Sequence, residues 1–286
     1  MVADQGQVWS VAADGEHVYW VGGTPRRVRR VPAAGGVVED LTPAENEQPW
    51  KLALDAGWLA WTIETTESSP LWAMPIPPNA TRVHLPGAFY KDTLAVSGGF
   101  VYAANNDGVW RVSPATGVSE RVLDVGASPL AADASGVYAV DGLRRQVLHS
   151  AGPGQGQVLA TLPREPSVLR LAVDADFVYL LYRYATRECQ TTLARVPKTG
   201  GEPVTLLTDA RCGMDLVVDG TYLYWLAFAE QPQMRSFLSR IPKAGGDAEL
   251  LAGNLPPGGG LAQTATHLYW GEAISPSTGR VLRLSK

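Results

Sequence analysis

The sequence predicts an all-β chain built from one unit written seven times, and three observations carry that prediction. Nearly one phrase recurs as SVAADGEHVYW, KLALDAGWLAW, TLAVSGGFVYA, PLAADASGVYA, RLAVDADFVYL, DLVVDGTYLYW and GLAQTATHLYW. An aromatic position (Tyr19, Ala60, Tyr102, Tyr138, Tyr179, Tyr224, Tyr269) follows a turn-forming polar residue (Asp14, Asp55, Ser97, Asp133, Asp174, Asp219, Thr264) at a constant offset of five. Short β-branched and aromatic runs are bounded by Gly, Pro and Asp, and no apolar period of about 3.6 persists for the length of a helix.

The mean step of roughly 42 residues is that of a four-stranded blade. The expected fold is therefore a seven-bladed β-propeller of four-stranded antiparallel blades, because such a sheet has two apolar faces and a ring of them covers both. The blades are expected at about 9–50, 51–91, 92–128, 129–168, 169–213, 214–258 and 259–286, as one domain over 1–286. The seventh unit stops at VLRLSK without an outer strand of its own, so residues 1–8 are the expected closing strand.

Each element of the unit has its own reason. Strand A carries a small residue where the inner strands crowd: Ala12, Ala53, Ala95, Ala131, Ala172, Val217 and Ala262. The turn into strand B takes the recurring Asp, whose side chain accepts backbone hydrogen bonds. Strand B holds the aromatic position, and a loop of variable length leads to strand C. There Arg30, Arg111, Arg195, Arg240 and Arg283 share one place with Ala73 and His149. These arginines are expected to pack their stems and pair their heads. PVTLL is a typical strand D.

Composition limits the function classes. Hydrophobic residues make up 45% and charged ones 18%, with 30 Gly and 21 Pro spread along the chain, as in a folded, turn-rich protein. The net charge is -4, and the one basic cluster, RRVRR at Arg26–Arg30, lies in a strand pattern whose residues alternate faces, which disfavours nucleic acid. No apolar run approaches the ~20 residues of a transmembrane span, and the opening MVADQGQ has no signal-peptide pattern.

The VYW and LYW cores together with RVPKTGG and RIPKAGG resemble the bacterial relatives of YWTD and TolB-like propellers over residues 9–286. The resemblance implies the fold and, since such repeats often occur in exported proteins, an exported setting. Trp20, Trp225 and Trp270 are followed by Val21, Leu226 and Gly271, so the full Tyr-Trp-Thr-Asp tetrad is absent and no receptor role is carried over.

Site expectations follow from loop length. From the aromatic to the arginine position, strands B and C are separated by nine residues in blade 3, sixteen in blades 5 and 6, and fourteen in blade 7. Variable loops on a rigid scaffold are where binding concentrates. Tyr182, Arg183, Tyr184, Arg187, Phe228, Glu230, Met234, Arg235 and Glu272 are the expected contact residues. Lys51, Arg170 and Asp215 are the expected polar lining of a channel mouth. Cys189 and Cys212 fall on adjacent loops of that face and are expected to form a disulfide, which points to a periplasmic or extracellular compartment.

His17 and His267 share one repeat place, where they read as turn residues rather than a metal pair, and no cofactor or metal is expected. The leading functional expectation is a non-catalytic exported propeller that binds a protein, peptide or glycan through its loop-rich face. The alternatives are a lactonase- or lyase-like enzyme, with Glu47, Asp92, Asp215, Asn254 and Gln263 as its candidate groups, and a structural module of a larger surface protein.

Overall fold

The computed structural model describes all residues except 1, 3, 4, 43–46, 56, 66–68, 77–80, 165–166, 185–188, 230–233 and 276. The chain is all-β, with no helix among the described residues, and its sheets are the blades of a seven-bladed β-propeller.

Blade 1 contains β1 (Val8–Ala13), β2 (His17–Gly22), β3 (Arg27–Pro32) and β4 (Glu39–Asp40), and blade 2 contains β5 (Pro49–Asp55), β6 (Trp58–Ile63), β7 (Ser69–Pro75) and β8 (Val83–Phe89). Blade 3 has β9 (Ala95–Ser97), β10 (Phe100–Asn105), β11 (Gly108–Val112) and β12 (Ser119–Leu123). Blade 4 has β13 (Leu130–Asp133), β14 (Gly136–Asp141), β15 (Gln146–Ser150) and β16 (Gly156–Thr161). Blade 5 follows with β17 (Ser167–Val173), β18 (Phe177–Tyr184), β19 (Gln190–Pro197) and β20 (Val204–Asp209). Blade 6 has β21 (Cys212–Val218), β22 (Tyr222–Ala229), β23 (Arg235–Pro242) and β24 (Glu249–Leu255). Blade 7 has β25 (Leu261–Gln263), β26 (His267–Ser275) and β27 (Thr278–Ser285). Six sheets are four-stranded in A-B-C-D order and the seventh is three-stranded.

The chain falls into two compact units, one of Met1–Ala103, Val112–Ser119 and Pro256–Lys286, the other of Ala104–Arg111 and Glu120–Leu255. In the first, a short N-terminal segment occupies the outer position of blade 7. Val2 forms an antiparallel bridge with Val281 through two hydrogen bonds of 3.1 and 3.0 Å, and the Gln5 amide reaches the Gly279 carbonyl at 2.9 Å. Gly279 permits this approach, because a Cβ there would stand 1.9 Å from the Gly6 carbonyl oxygen. The core between blades 7 and 1 is Val8, Val11, Val18, Trp20, Val31, Ala262, Tyr269 and Val281. Burying each such larger side chain is worth about 1.5–3 kcal/mol.

In the second unit, blades 5 and 6 enclose Tyr179, Leu181, Leu193, Leu216, Leu223, Trp225, Ala227 and Ile241. The alternate residues of β18, Val178, Leu180 and Tyr182, face the other way and join the core with blade 4.

The repeated Asp does what turn chemistry requires, and more. In Asp14, Asp174 and Asp219 one carboxylate oxygen accepts the backbone N–H groups two and three residues on, at 2.8–2.9 Å. The other oxygen accepts the hydroxyl of Tyr19, Tyr179 or Tyr224, five residues on, at 2.8, 2.9 and 2.9 Å. A lysine from the next blade completes the set: Lys243 reaches Asp174 at 2.6 Å, and Lys198 pairs with Asp133. In these three blades the offset of five is thus the reach of a tyrosine hydroxyl across the A–B turn. The arginine row behaves as expected, since Arg30, Arg111 and Arg240 pair with Glu39, Glu120 and Glu249 of strand D at 2.7, 2.5 and 2.7 Å.

Candidate binding face

The B–C turns and D–A crossings share one end of each blade. In blades 5 and 6 that end is built from two long hairpins. Strand β18 pairs with β19 as far as Tyr184 opposite Gln190, and β22 pairs with β23 as far as Ala229 opposite Arg235. The segments read as loops from sequence are therefore in large part ladder. A disulfide between Cys189 and Cys212 ties the first hairpin to the start of β21. Beside it the Thr191 hydroxyl donates to the Arg211 carbonyl at 2.7 Å and accepts the Gly213 amide.

The crossing from blade 5 to 6 is fixed by charge as well. The Arg211 guanidinium forks onto Asp209 at 2.7 and 2.9 Å and lies 4.9 Å over the Phe237 ring, while the Trp225 indole donates to the same carboxylate at 3.2 Å. An arginine held by a planar carboxylate and an aromatic face loses little further freedom when it meets a ligand.

The expected contact residues divide. Met234 is 47% exposed, and Arg183 is exposed opposite Thr191. Phe228 and Arg235 are half-buried. Arg187, Glu230 and the side chain of Tyr184 lie outside the described residues. Two expectations are corrected. Tyr182 is only 3% exposed and belongs to the core between blades 4 and 5, because β18 continues past it and its side chain falls on the buried face. Glu272 is 0% exposed: within β26 it stands opposite Arg280, which donates to it at 2.7 Å, while the Trp270 indole donates at 3.3 Å. Neither is available as a surface anchor.

Of the three residues expected at a channel mouth, Arg170 and Asp215 meet at 3.4 Å, and Arg170 also donates to the Leu169 carbonyl at 2.9 Å. Lys51, in the other unit, donates to the Asp92 carbonyl at 2.7 Å.

Sequence reasoning passed over a cluster at the same end of blades 1 and 2. The rings of Trp9 and Trp50 stand 5.0 Å apart, and the Arg26 guanidinium lies 4.6 and 4.9 Å from their centroids. The Lys91 ammonium is 3.9 Å from the Trp50 ring. Both cations converge on Glu64, Arg26 at 2.7 Å, and the Trp50 indole donates to Asp92 at 2.7 Å. The Lys91 hydrogen bond, ahead of an opposing effect of burial and a further contribution from Arg26, holds the Glu64 carboxyl below its usual range. The signal was present: Trp9 and Trp50 occupy one repeat place in successive blades, just ahead of Ser10 and Lys51. Cation–π contacts of this kind are worth about 0.5–2 kcal/mol each.

Among the described residues no three His, Cys, Asp or Glu side chains gather as a metal site, and no helix is long and apolar enough to cross a membrane. No known protein family and no curated protein matches the sequence. Solved structures do. A streptogramin B lyase is 8% identical with a TM-score of 0.69, covering 99% of this chain and 96% of the lyase. Virginiamycin B lyase from Staphylococcus aureus is 11% identical with a TM-score of 0.69, covering 97% of this chain and 95% of that one. A chain of the nidogen/laminin complex is 14% identical with a TM-score of 0.51, covering 88% of this chain and 81% of that one. At identities this low the structural likeness shows the fold alone, and that fold is the β-propeller.

Proposed function

We propose that this protein is a non-catalytic exported propeller that binds a protein, peptide or glycan through the B–C and D–A end of its blades. The observation that carries the reading is the braced pair of hairpins in blades 5 and 6. A disulfide, a bidentate Asp209–Arg211 pair and a stacked Phe237 immobilise a surface that presents Arg183, Met234 and Arg235. Fixing such groups before the ligand arrives lowers the entropic cost of binding. The half-buried Trp9–Trp50 pair gives the same end of blades 1 and 2 aromatic surface, the residue type that dominates recognition energetics. The disulfide supports an oxidising compartment, periplasmic or extracellular.

A lyase-like reading has its basis in the neighbours, one of which is a catalytically inactive histidine-to-alanine variant of virginiamycin B lyase with quinupristin. In this chain the groups named for that chemistry have structural partners: Glu47 pairs with Arg82 at 2.5 Å, Asp92 holds Trp50, Asp215 meets Arg170, and Gln263 takes Lys286 at 2.8 Å. Asn254 sits in a left-handed turn with φ of 57°. The binding reading is the better supported.

The test is a peptide-display selection and a glycan array run with the wild-type chain and with the double variant Arg183→Glu, Met234→Asp. A ligand lost by the variant supports the reading. No ligand from either library, or ligands indifferent to the variant, overturns it.

A further inference from the structure

Among the described residues, two clefts of nearly equal size open at the opposite end of the blades, where the A–B turns lie. One, of about 480 Å³, lies between blades 7 and 1, and one of about 470 Å³ lies between blades 4 and 5. They differ in how their charged groups are paired. Asp133 and Lys198 line the cleft of blades 4 and 5 and neutralise each other. At the equivalent places the cleft of blades 7 and 1 has Thr264 and Ala33, so both halves of the ion pair are gone.

Two donors are left behind. The Tyr269 ring is 1% exposed and borders the cleft. Its counterparts in blades 1, 5 and 6 each donate a hydroxyl to the repeated Asp, but in blade 7 the place of that Asp belongs to Thr264, whose hydroxyl accepts the His267 amide at 3.2 Å. Arg283 also borders the cleft and donates to the Ala33 carbonyl. Arg30, Arg111 and Arg240 have a strand-D glutamate, and Arg195 and Arg240 lie over the rings of Phe177 and Tyr222. Blade 7 has no named fourth strand, and among the described residues Arg283 has neither a carboxylate nor a ring. The one carboxylate on the lining, Asp14, is already engaged by the Glu16 and His17 amides and the Tyr19 hydroxyl.

From this juxtaposition we propose that the cleft between blades 7 and 1 binds a small organic carboxylate, whose anionic group takes the place of the missing aspartate. The carboxylate accepts from the Tyr269 hydroxyl and pairs with Arg283, while the methyl groups of Ala33 and its neighbour Ala34 line the space for an apolar tail. The proposal concerns a different end of the blades from the binding face and does not depend on it.

The cleft of blades 4 and 5 shows how to test this. The double variant Thr264→Asp, Ala33→Lys rebuilds there the ion pair found between blades 4 and 5, keeping the fold while supplying its own carboxylate. Ligand-observed NMR and calorimetry are run with propionate, butyrate and phenylacetate, each beside its primary amide. The expected result is saturable binding of at least one carboxylate with a dissociation constant under about 10 mM, and binding at least about tenfold weaker for its amide, for the double variant and for Arg283→Gln. If no carboxylate saturates the protein, if amide and acid bind alike, or if the double variant binds as well as wild type, the proposal is overturned. The double variant decides the matter even if Arg283→Gln fails to fold.

Discussion

The seam between blades 5 and 6 and the seam between blades 7 and 1 are made from the same repeat, but they are joined differently. The first is fastened at both ends: Lys243 to Asp174 at the A–B turns, and Cys189 to Cys212 at the B–C turns. The second has neither fastening. It relies on an apolar interface around Trp20 and Tyr269 and on the backbone hydrogen bonds that Val2 and Gln5 make to β27. The Arg195 guanidinium donating to the Lys243 carbonyl, and Arg283 donating to that of Ala33, are one contact that the two seams share. The comparison teaches that apolar burial with a few backbone hydrogen bonds can join two blades, and that the polar latch is an addition that can be withdrawn.

The largest expected effect comes from cutting the latch. Replacing Asp174 with Ala removes the turn cap and the partners of both Tyr179 and Lys243, so we expect a loss of about 3 kcal/mol in urea unfolding. The same change at Asp14, which holds Tyr19 and the turn without an ion pair, is expected to cost about 1–2 kcal/mol. Equal losses at the two sites would show that the Lys243 ion pair adds nothing to the seam of blades 5 and 6.

Next in size is the disulfide. Cys189 and Cys212 are separated by 23 positions in sequence, and opening a loop of that size costs about 3 kcal/mol. The variant Cys189→Ser, Cys212→Ser is expected to unfold at lower urea while blade 7 keeps its hydrogen-exchange protection. Protection lost uniformly across all blades would show that the bond acts on the whole chain and not on one seam.

The smallest effect is in pH. At Asp133 and Asp174 burial is the largest single influence and raises the carboxyl, but the lysine and the hydrogen bonds together outweigh it and leave both below the usual range. A carboxyl lowered by folding adds stability that is fully present above its unfolded value, about 3.9, and is lost as pH falls through the lower folded value. Acid unfolding of the wild type is therefore expected to steepen below about pH 4, and the double variant Asp133→Asn, Asp174→Asn to lose part of that slope. An unchanged slope would place the acid sensitivity elsewhere.

Much of the architecture was legible because it is periodic. Seven equal offsets from a polar turn residue to the aromatic position can arise only if one turn is built seven times, so strand order, turn cap and the aromatic core position could be read directly. The cysteines were legible for a related reason, since the repeat assigned them to neighbouring crossings at one end of the blades. The candidate site was less so. Counting from the tyrosine made loops of residues that β18, β22 and β26 carry onward as ladder, and a residue in a ladder alternates between faces. That alternation buried Tyr182 and Glu272 while leaving Arg183 exposed.

By itself, then, the sequence determined the repeat, its strands and the cap at each turn, because these depend on residues within a few positions of one another. Only the tertiary structure decided which partner each long side chain found. Lys243 reaches back to Asp174 across 69 positions, Arg26 to Glu64 across 38, and Trp50 to Asp92 across 42. Such contacts are set by how one sheet packs on the next, and no local spacing encodes that distance.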